Sequence, residues 1–564
     1  RCGRVAMSRL RKAMKVLRTE GIRVFLKKVW KKMCGYLRTA GAERGMRSLH
    51  VITRRQRYWQ KRHVFKNPVK FSIITPLYNT PKRYLVELIR SLERQTYPNW
   101  ELCLADGSDK EHSYVKKICQ RWCKKDARII YTKLKENKGI SQNTNACIKI
   151  SSGQYFGLLD HDDILHESAL FEMMMQISRH NADFLYSDEA KFSGNIKDAK
   201  DFNFKPGFGK DELRSHNYIC HFTVFSRELL HKIGQIYRPE FDGSQDHDMV
   251  LRLTEKARRI VHIPKVLYYW RVHPESVSIN LSSKNYAVDA AIRAVGEQLR
   301  RTDEPGTVKS NLPYQTIYRT RYDIAQKDSR IAVLVHGIRN MQEYDGFVKK
   351  IQESAADKKL EFFPVVEEGK KSFGALLNQA LSGSSAEYVL LMDIGCVPVS
   401  AGWIDEMLMF AQREDVAAVS PKILYENGTI AYAGIALDHE KEERIRYLCQ
   451  GIADTEQGYE AILRHVRNTT SVWRGCCMIQ RSKLDKLKGF AEDLDGYEEI
   501  DLSLQAVKQG YWNVWTCFAV MQLDRGYIDN DAKKNTKKFV KLWNAELKKG
   551  DNFYHPLWKK LGLV

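Results

Sequence analysis

Residues 155–163 read YFGLLDHDD, and the fold class follows from how that stretch is interpreted. Its opening is an apolar run that predicts a buried strand, and the run breaks off abruptly into Asp160, His161, Asp162 and Asp163. Three carboxylates in four residues repel one another unless a cation sits among them, and a divalent metal is the simplest candidate. Ligands of open α/β sheets gather outside the carboxyl ends of the strands, so the acidic end of this strand marks the expected crevice. A D-x-D tripeptide taken alone is equally a solvated acidic turn that caps the next helix. The flanking segments separate the two readings.

Upstream, FSIIT (71–75) is a β-branched strand pattern. Thr80 and Pro81 then predict an N-cap and first helical residue, with Tyr84, Leu85, Leu88, Ile89 and Leu92 on one face. ELCLA (101–105) predicts a second strand that ends in the turn Asp106, Gly107, Ser108, Asp109. RIIYTKL (128–134) and YFGLLD (155–160) continue the alternation with helices between. That alternation predicts a mostly parallel sheet with both faces covered, and the strand ends at Asp106 and Asp160 then face one crevice.

At 564 residues the chain is too long for one core and suits two domains of roughly 200 residues with appendages. The net charge of +24 is uneven: residues 1–70 hold 22 Lys and Arg against Glu20 and Glu43 alone, so 20 of those charges lie there. Within this arm (1–68), Leu10, Met14 and Leu17, then Ile22, Phe25, Leu26, Val29, Trp30, Met33 and Leu37, recur at helical spacing opposite a basic face. The pattern suits a helix lying on an anionic membrane surface, and it equally suits packing on the protein itself. Nucleic acid is disfavoured, because no reading motif is present and the aromatic residues fall on the apolar face. No window approaches ~18 consecutive apolar residues, and no signal sequence opens the chain. The twelve Cys show no zinc spacing and read as reduced core thiols, as in a cytoplasmic protein.

Residues 281–329 predict a helical linker, with one helix at 285–301 and a polar, turn-rich segment from Thr302 to Asn311. RIAVLVHG (330–337) opens a new strand pattern. AEYVLLMDIGCVP (386–398) echoes QYFGLLDHDD, and GYEEIDLSLQ (496–505) echoes GSQDHDMVLR, so the chain contains a diverged internal repeat over 330–530. The basic tail, 531–564, places Phe539, Leu542, Trp543 and Leu547 on one helix face and is expected to pack across the second domain.

The blocks SIITPLYN (72–79), LADGSD (104–109), NKGISQNTN (137–145), LLDHDD (158–163), FDGSQDHDMVLRL (241–253) and HIPKVLYYWRVHPESVS (262–278) resemble, in order and spacing, the family 2 glycosyltransferases of GT-A fold. YSDEAKF (186–192) and FKPGFGKDELRSHNYI (204–219) are similar to the first half of tandem bacterial enzymes of O-antigen, capsule or rhamnose-rich wall polymer synthesis. SPKILYENGTIAYAGIAL (420–437) and VWRGCCMIQRSKLDKLKGF (472–490) resemble their second half. The resemblance implies two tandem GT-A domains, Rossmann-like α/β, the catalytic one at 69–280. It implies an inverting enzyme at the inner face of the cell membrane that uses a nucleotide diphosphate sugar donor, a glycan or lipid-linked glycan acceptor, and magnesium or manganese.

The same resemblance assigns roles. Asp162 and Asp160, with His273, would hold the metal; Asp160 would also reach the ribose. Asp106 would meet the base of the nucleotide, and Pro76, Tyr78, Asn137 and Gly139 would line the donor pocket. Arg271 and His273 would offset the diphosphate charge. Asp246 would be the general base, with Gln245 standing where Glu is common in the family. Each has a plain structural alternative: Asp106 closes a turn, and Asp248 with Arg252 forms an ion pair on a helix face. In the second domain Asp393 is followed by Ile394, Gly395 and Cys396, so the second metal carboxylate is missing. Glu499 remains there as a possible base, and a non-catalytic or acceptor-binding repeat is favoured over a second working transferase.

Overall fold

The computed structural model describes residues 49–273, 285–367, 370–437, 445–524 and 535–564. The proposed membrane-facing helices before residue 49 lie outside the described residues. Of the arm, α1 (Arg54–Arg62) is described; Thr53 caps it and exchanges bonds with Gln56. It packs on the protein: Gln60 is buried and accepts hydrogen bonds from Thr96 Oγ1 and Ser168 Oγ, and Arg57 donates two bonds to Glu167.

The first sheet begins with β1 (Phe71–Leu77), β2 (Trp100–Asp106), β3 (Ile129–Lys133) and β4 (Tyr155–Leu158), arranged β3-β2-β1-β4 with every neighbour parallel. All seven residues of β1 and of β2 are buried, as a strand covered on both faces requires. The connecting helices are α2 (Lys82–Glu93), α3 (Tyr114–Lys125) and α4 (Gly139–Lys149). Phe71, Ile73, Leu102 and Leu104 pack with Leu85 and Leu88 of α2, while Ile74, Cys103 and Ala105 face Cys147 of α4 and Phe156. Helix α2 starts one residue later than expected. Pro81 is its cap, and the Thr80 hydroxyl bonds His161 Nδ1 at 2.7 Å instead of capping.

Beyond β4 the sheet is mixed. It adds β5 (Ile164–Leu165), β6 (Phe184–Phe192), β7 (Lys200–Asn203), β8 (Val224–Ser226) and β9 (Ile260–Arg271), in the order β4-β8-β6-β9-β5 with β7 on β6. Only β6 and β9 are parallel there; the three-residue β8 inserts antiparallel to both its neighbours. Between them run α5 (Ala169–His180), α6 (Lys210–Ser215), α7 (Arg227–Ile233) and α8 (Gln245–Lys256).

The linker is helical only in its first part, α9 (Asn285–Arg301). The turn-rich stretch after it pairs as a hairpin, β10 (Gly306–Asn311) with β11 (Tyr314–Tyr322). A second sheet follows, built from β12 (Arg330–His336), β13 (Lys359–Pro364), β14 (Tyr388–Asp393), β15 (Cys396–Pro398) and β16 (Val416–Tyr425). The chain then gives β17 (Ile430–Tyr432), the hairpin β18 (Ile435–Leu437) and β19 (Ile445–Tyr447), β20 (Arg467–Thr469), β21 (Cys476–Gln480) and β22 (Trp512–Leu523). Its order, β13-β12-β14-β21-β16-β22-β15, repeats β2-β1-β4-β8-β6-β9-β5 strand for strand, with parallel and antiparallel pairings in the same places. The fold is therefore α/β with two tandem sheets of one topology, the second lacking a counterpart of β3 among the described residues.

The two sheets are joined by buried charge. Arg413 binds Asp211 of α6 and also lies against Glu304 and Asp415. Arg214 donates to Gln298, to the Tyr322 hydroxyl and to Glu304. Removing one partner of such a buried pair leaves the other uncompensated, so Arg413→Leu is expected to lose about 3–5 kcal/mol of stability. A drop in the urea midpoint at unchanged slope is the readout; an unchanged midpoint contradicts it.

Among the described residues the tail forms three short helices, of which Thr536–Leu542 and Asn544–Lys549 pack on the second sheet's domain and Pro556–Leu561 follows. Phe539 stacks on Tyr497 and Trp543 Nε1 donates to Asp501, whereas Leu542 is exposed, off the buried face expected for it. The last residues cross to the first domain: His555 Nε2 lies 2.9 Å from Asp188 and Trp558 Nε1 donates to the Phe204 carbonyl. All ten cysteines among the described residues are free thiols, and none of the described helices is long and apolar enough to cross a membrane.

Candidate active site

The chain leaves β4 into the loop Asp160–Asp163, and β9 shapes that loop from beside it. Asp163 is buried, accepting from the Tyr268 hydroxyl at 2.6 Å and from the Arg271 backbone N–H at 2.6 Å. Burial, then the charges of Asp162 and Asp160, push its carboxyl well above the usual range. Asp163 thus anchors the loop.

Arg271 is not a free loop cation. It ends β9, is buried, and donates from Nε to the Asp162 carbonyl at 2.5 Å and to Glu87 at 2.8 Å. Its guanidinium lies over Tyr84 and Phe192, 4.2 and 4.5 Å from the ring centroids. Two residues on, His273 Nε2 stands 2.9 Å from Asp162 Oδ2, and both side chains keep about a fifth of their surface open.

Asp160 is the exposed member, with 55% of its side chain accessible, and its Oδ2 lies 3.6 Å from His221 Nε2. Partial loss of water around the loop would raise its carboxyl; the adjacent His221 imidazole outweighs that and holds it below the usual range. His221 stacks on Tyr268, ring centroids 4.6 Å apart, and its Nδ1 lies 3.2 Å from Glu189. Burial works against the imidazolium, but Cys220, Asp160 and Glu189 overcome it, so its pKa is well above the ordinary value. Glu189 is itself paired with buried Lys205 at 3.0 Å and falls to about 2: burial raises it, but the Lys205 charge and His221 prevail.

Asp246 faces this loop from the first turn of α8. Tyr237 donates its hydroxyl to one carboxylate oxygen, and Gln245 Nε2 is 3.4 Å from the other. Burial first, and the charge of Asp160 second, push the carboxyl up to about 6. The charges of Asp160 and His221 both act on Asp246. Asp248 and Arg252 are the ion pair the sequence allowed, buried and joined by Arg238.

Across the carboxyl ends of β1 and β2, Leu77 pairs with Asp106. Asp106 is buried and held by its own turn, accepting from the Ser108 N–H at 2.8 Å and the Tyr131 hydroxyl at 2.7 Å. Pro76 is buried within β1, and Tyr78 beyond its end is nearly half exposed. Asn137 accepts from Asn143 and from the Gly139 N–H. Gly139 sits at φ +86, where a side chain is strained, and opens α4 beside Asp242.

In the second domain Asp393 accepts from the Gly395 N–H at 2.8 Å and lies 3.7 Å from His336. Glu499 is buried, with Oε2 unbonded among the described residues, next to Glu498, which burial and Glu499 push up to about 8. Cys396 is buried.

His221, Tyr237 and the Glu189–Lys205 pair have no mark in sequence spacing. His221 enters the crevice only because β8 pairs with β4, bringing the residues before it alongside Asp160.

A model for glycosyl transferase family 2 matches residues 72–234. An uncharacterized protein, y4gI, of Sinorhizobium fredii is 31% identical over 505 residues, covering 83% of this chain and 55% of the relative. The O-antigen biosynthesis protein RfbC of Myxococcus xanthus is 27% identical over 467 residues, covering 78% of this chain and 36% of the relative. The chain thus spans about half or less of the length of these relatives. Among solved structures, Staphylococcus aureus TarS 1–349 aligns with 20% identity and a TM-score of 0.34, over 41% of this chain and 65% of that one. By sequence and by the order of its blocks, the first half of this chain carries a glycosyl transferase family 2 domain, at residues 72–234.

Proposed function

We propose that the protein is an inverting glycosyltransferase that moves a sugar from a nucleotide diphosphate sugar to a growing, lipid-linked bacterial surface glycan. The carrying observation is Asp246: a half-buried carboxyl in the first turn of α8, bonded by the Tyr237 hydroxyl, which burial and the charge of Asp160 push up to about 6. A base of that strength is ionised at neutral pH and still strong enough to accept a hydroxyl proton during attack. The name of the Myxococcus relative, an O-antigen biosynthesis protein, supports the choice of acceptor.

Asp162 and His273 fit two adjacent ligand positions of a divalent cation, whereas the Asp160 carboxylate groups with Asp163 and His221. The 2.9 Å between Asp162 Oδ2 and His273 Nε2 matches adjacent ligands of an octahedral ion with ~2.1 Å bonds. When bound there, magnesium or manganese neutralises the departing diphosphate. The chain's own residues do the rest. Arg271 and Asp163 fix the loop that presents Asp162. His221 keeps Asp160 ionised. Asp246 takes the proton of the acceptor hydroxyl as it attacks opposite the leaving group, which inverts the anomeric carbon. Asn137, Gly139, Tyr78 and the Asp106 turn border the place for the nucleoside.

Protonation of Asp246 removes the base, so kcat/KM falls on the acid side, through a limb at or below about 6. The Tyr237 hydrogen bond favours the carboxylate, so Tyr237→Phe moves that limb to higher pH. A pH–rate profile checks it, and an unmoved limb removes Asp246 as the titrating group.

The second domain reads as an acceptor-holding repeat, because Gly395 and Cys396 stand where the first site has its second aspartate. If so, Asp162→Ala abolishes all linkages in the product. Persistence of one linkage in that variant, lost on adding Glu499→Ala, identifies a second transferase.

A further inference from the structure

Between the two domains lies a cavity of about 100 Å³ whose wall brings together Glu212 and His216 from the first domain and His465 from the second. The Glu212 Oε1 atom lies 3.5 Å from His465 Nε2 and 4.0 Å from His216 Nε2. Those separations are close to the ~3.4 Å edge of a tetrahedron with ~2.1 Å bonds, the geometry of zinc held by nitrogen and carboxylate.

The ring chemistry points the same way. His465 is 1% exposed, and its Nδ1 lies 2.9 Å from the Ala461 carbonyl, which fixes the proton on Nδ1 and leaves Nε2 as a bare lone pair. A ligating histidine is oriented in this way by its other nitrogen. That Nε2 is buried, has no hydrogen-bond partner among the described residues and aims into the cluster. His216 Nε2 is buried and unbonded beside it, and so is Asn217 Oδ1 on the same cavity wall. A lone pair facing a carboxylate repels it, so the three side chains are poorly satisfied without a cation. Burial holds both imidazoles neutral, at about 3, and keeps the Glu212 carboxyl above its ordinary value. Arg467 lies nearby, but its guanidinium is committed to the Ile462 and Ala433 carbonyls.

We propose that Glu212, His216 and His465 form a second cation site, separate from the Asp160–Asp163 crevice, that takes zinc and clips the two domains together. The cavity leaves room for water or Asn217 as the fourth ligand.

The test is zinc titration of the full chain against a chromophoric chelator, in millimolar magnesium and in an Asp162→Ala background, so that the carboxylate crevice does not compete. One equivalent of zinc per chain is expected. His465→Gln or Glu212→Gln should weaken it by at least tenfold. Zinc X-ray absorption on the same loaded Asp162→Ala chain, which needs no change at the cluster, should report two imidazole ligands. Absence of stoichiometric zinc binding, a spectrum without imidazole, or equal affinity in both folded variants would overturn the proposal. Failure of this site leaves the transferase reading standing, because the background variant already lacks the proposed catalytic metal ligand.

Discussion

Replacing Asp246 by Asn cuts kcat by about 10²- to 10⁴-fold, the range for loss of a general base, while binding of the donor stays within a few-fold. The amide keeps the size of the side chain and can still meet the Tyr237 hydroxyl, so the first turn of α8 is preserved. It cannot accept a proton. Asp246 does not touch the Asp160–Asp163 backbone or the Asp106 turn through any hydrogen bond that fixes them, so the donor pocket should survive. Steady-state kinetics with isothermal titration of the donor separates the two effects. Full turnover in the variant means that the base lies elsewhere. A parallel loss of kcat and donor affinity means that Asp246 holds the pocket rather than the proton.

Asp162→Ala should be more severe, lowering turnover by about three orders of magnitude or more, since charge stabilisation by a metal is worth several kcal/mol. The substitution removes the carboxylate facing His273 and leaves the loop in place, because Arg271 grips the Asp162 carbonyl and not its side chain. The variant should fold with an unchanged melting temperature without ligand. It should lose the extra stability that manganese and a nucleoside diphosphate give together, which for a ligand at 100 times its Kd is about 2.7 kcal/mol. A variant that retains both turnover and this stabilisation shows that Asp162 holds no cation.

The parallel core was legible because its strands are covered on both faces: β1, β2 and β4 are short apolar runs between helices whose apolar residues recur at i, i+3 and i+4. The helix ending at Arg301 was legible for the same reason. Beyond β4 the reading fell short. The strand β8 is three residues long, below what periodicity can register, and it makes the sheet mixed. The turn-rich pattern of Thr302–Asn311 hides β10, because Thr307 and Lys309 are exposed and Ser310 and Asn311 are polar; the buried apolar residues of the hairpin, Ile317, Tyr318 and Tyr322, lie on β11.

In the site, Asp160, Asp162 and Asp246 stood out through motif and order. Asp163 and Arg271 drew attention for their charge, whereas the structure uses them to hold the loop. Nothing local marks His221, which depends on strand pairing between segments some sixty residues apart. His555 is further still, meeting Asp188 from the far end of the chain.

In the proposed enzyme the Asp160–Asp163 loop and Asp246 make one transfer site. A crystal structure of the full chain soaked with manganese and a nucleoside diphosphate, with anomalous data at the manganese edge, tests it most directly. An anomalous peak bonded to Asp162 and to His273 is expected, touching the diphosphate, with Asp246 facing its open side. A nucleotide bound away from this loop, or a peak with no bond to Asp162, would contradict it.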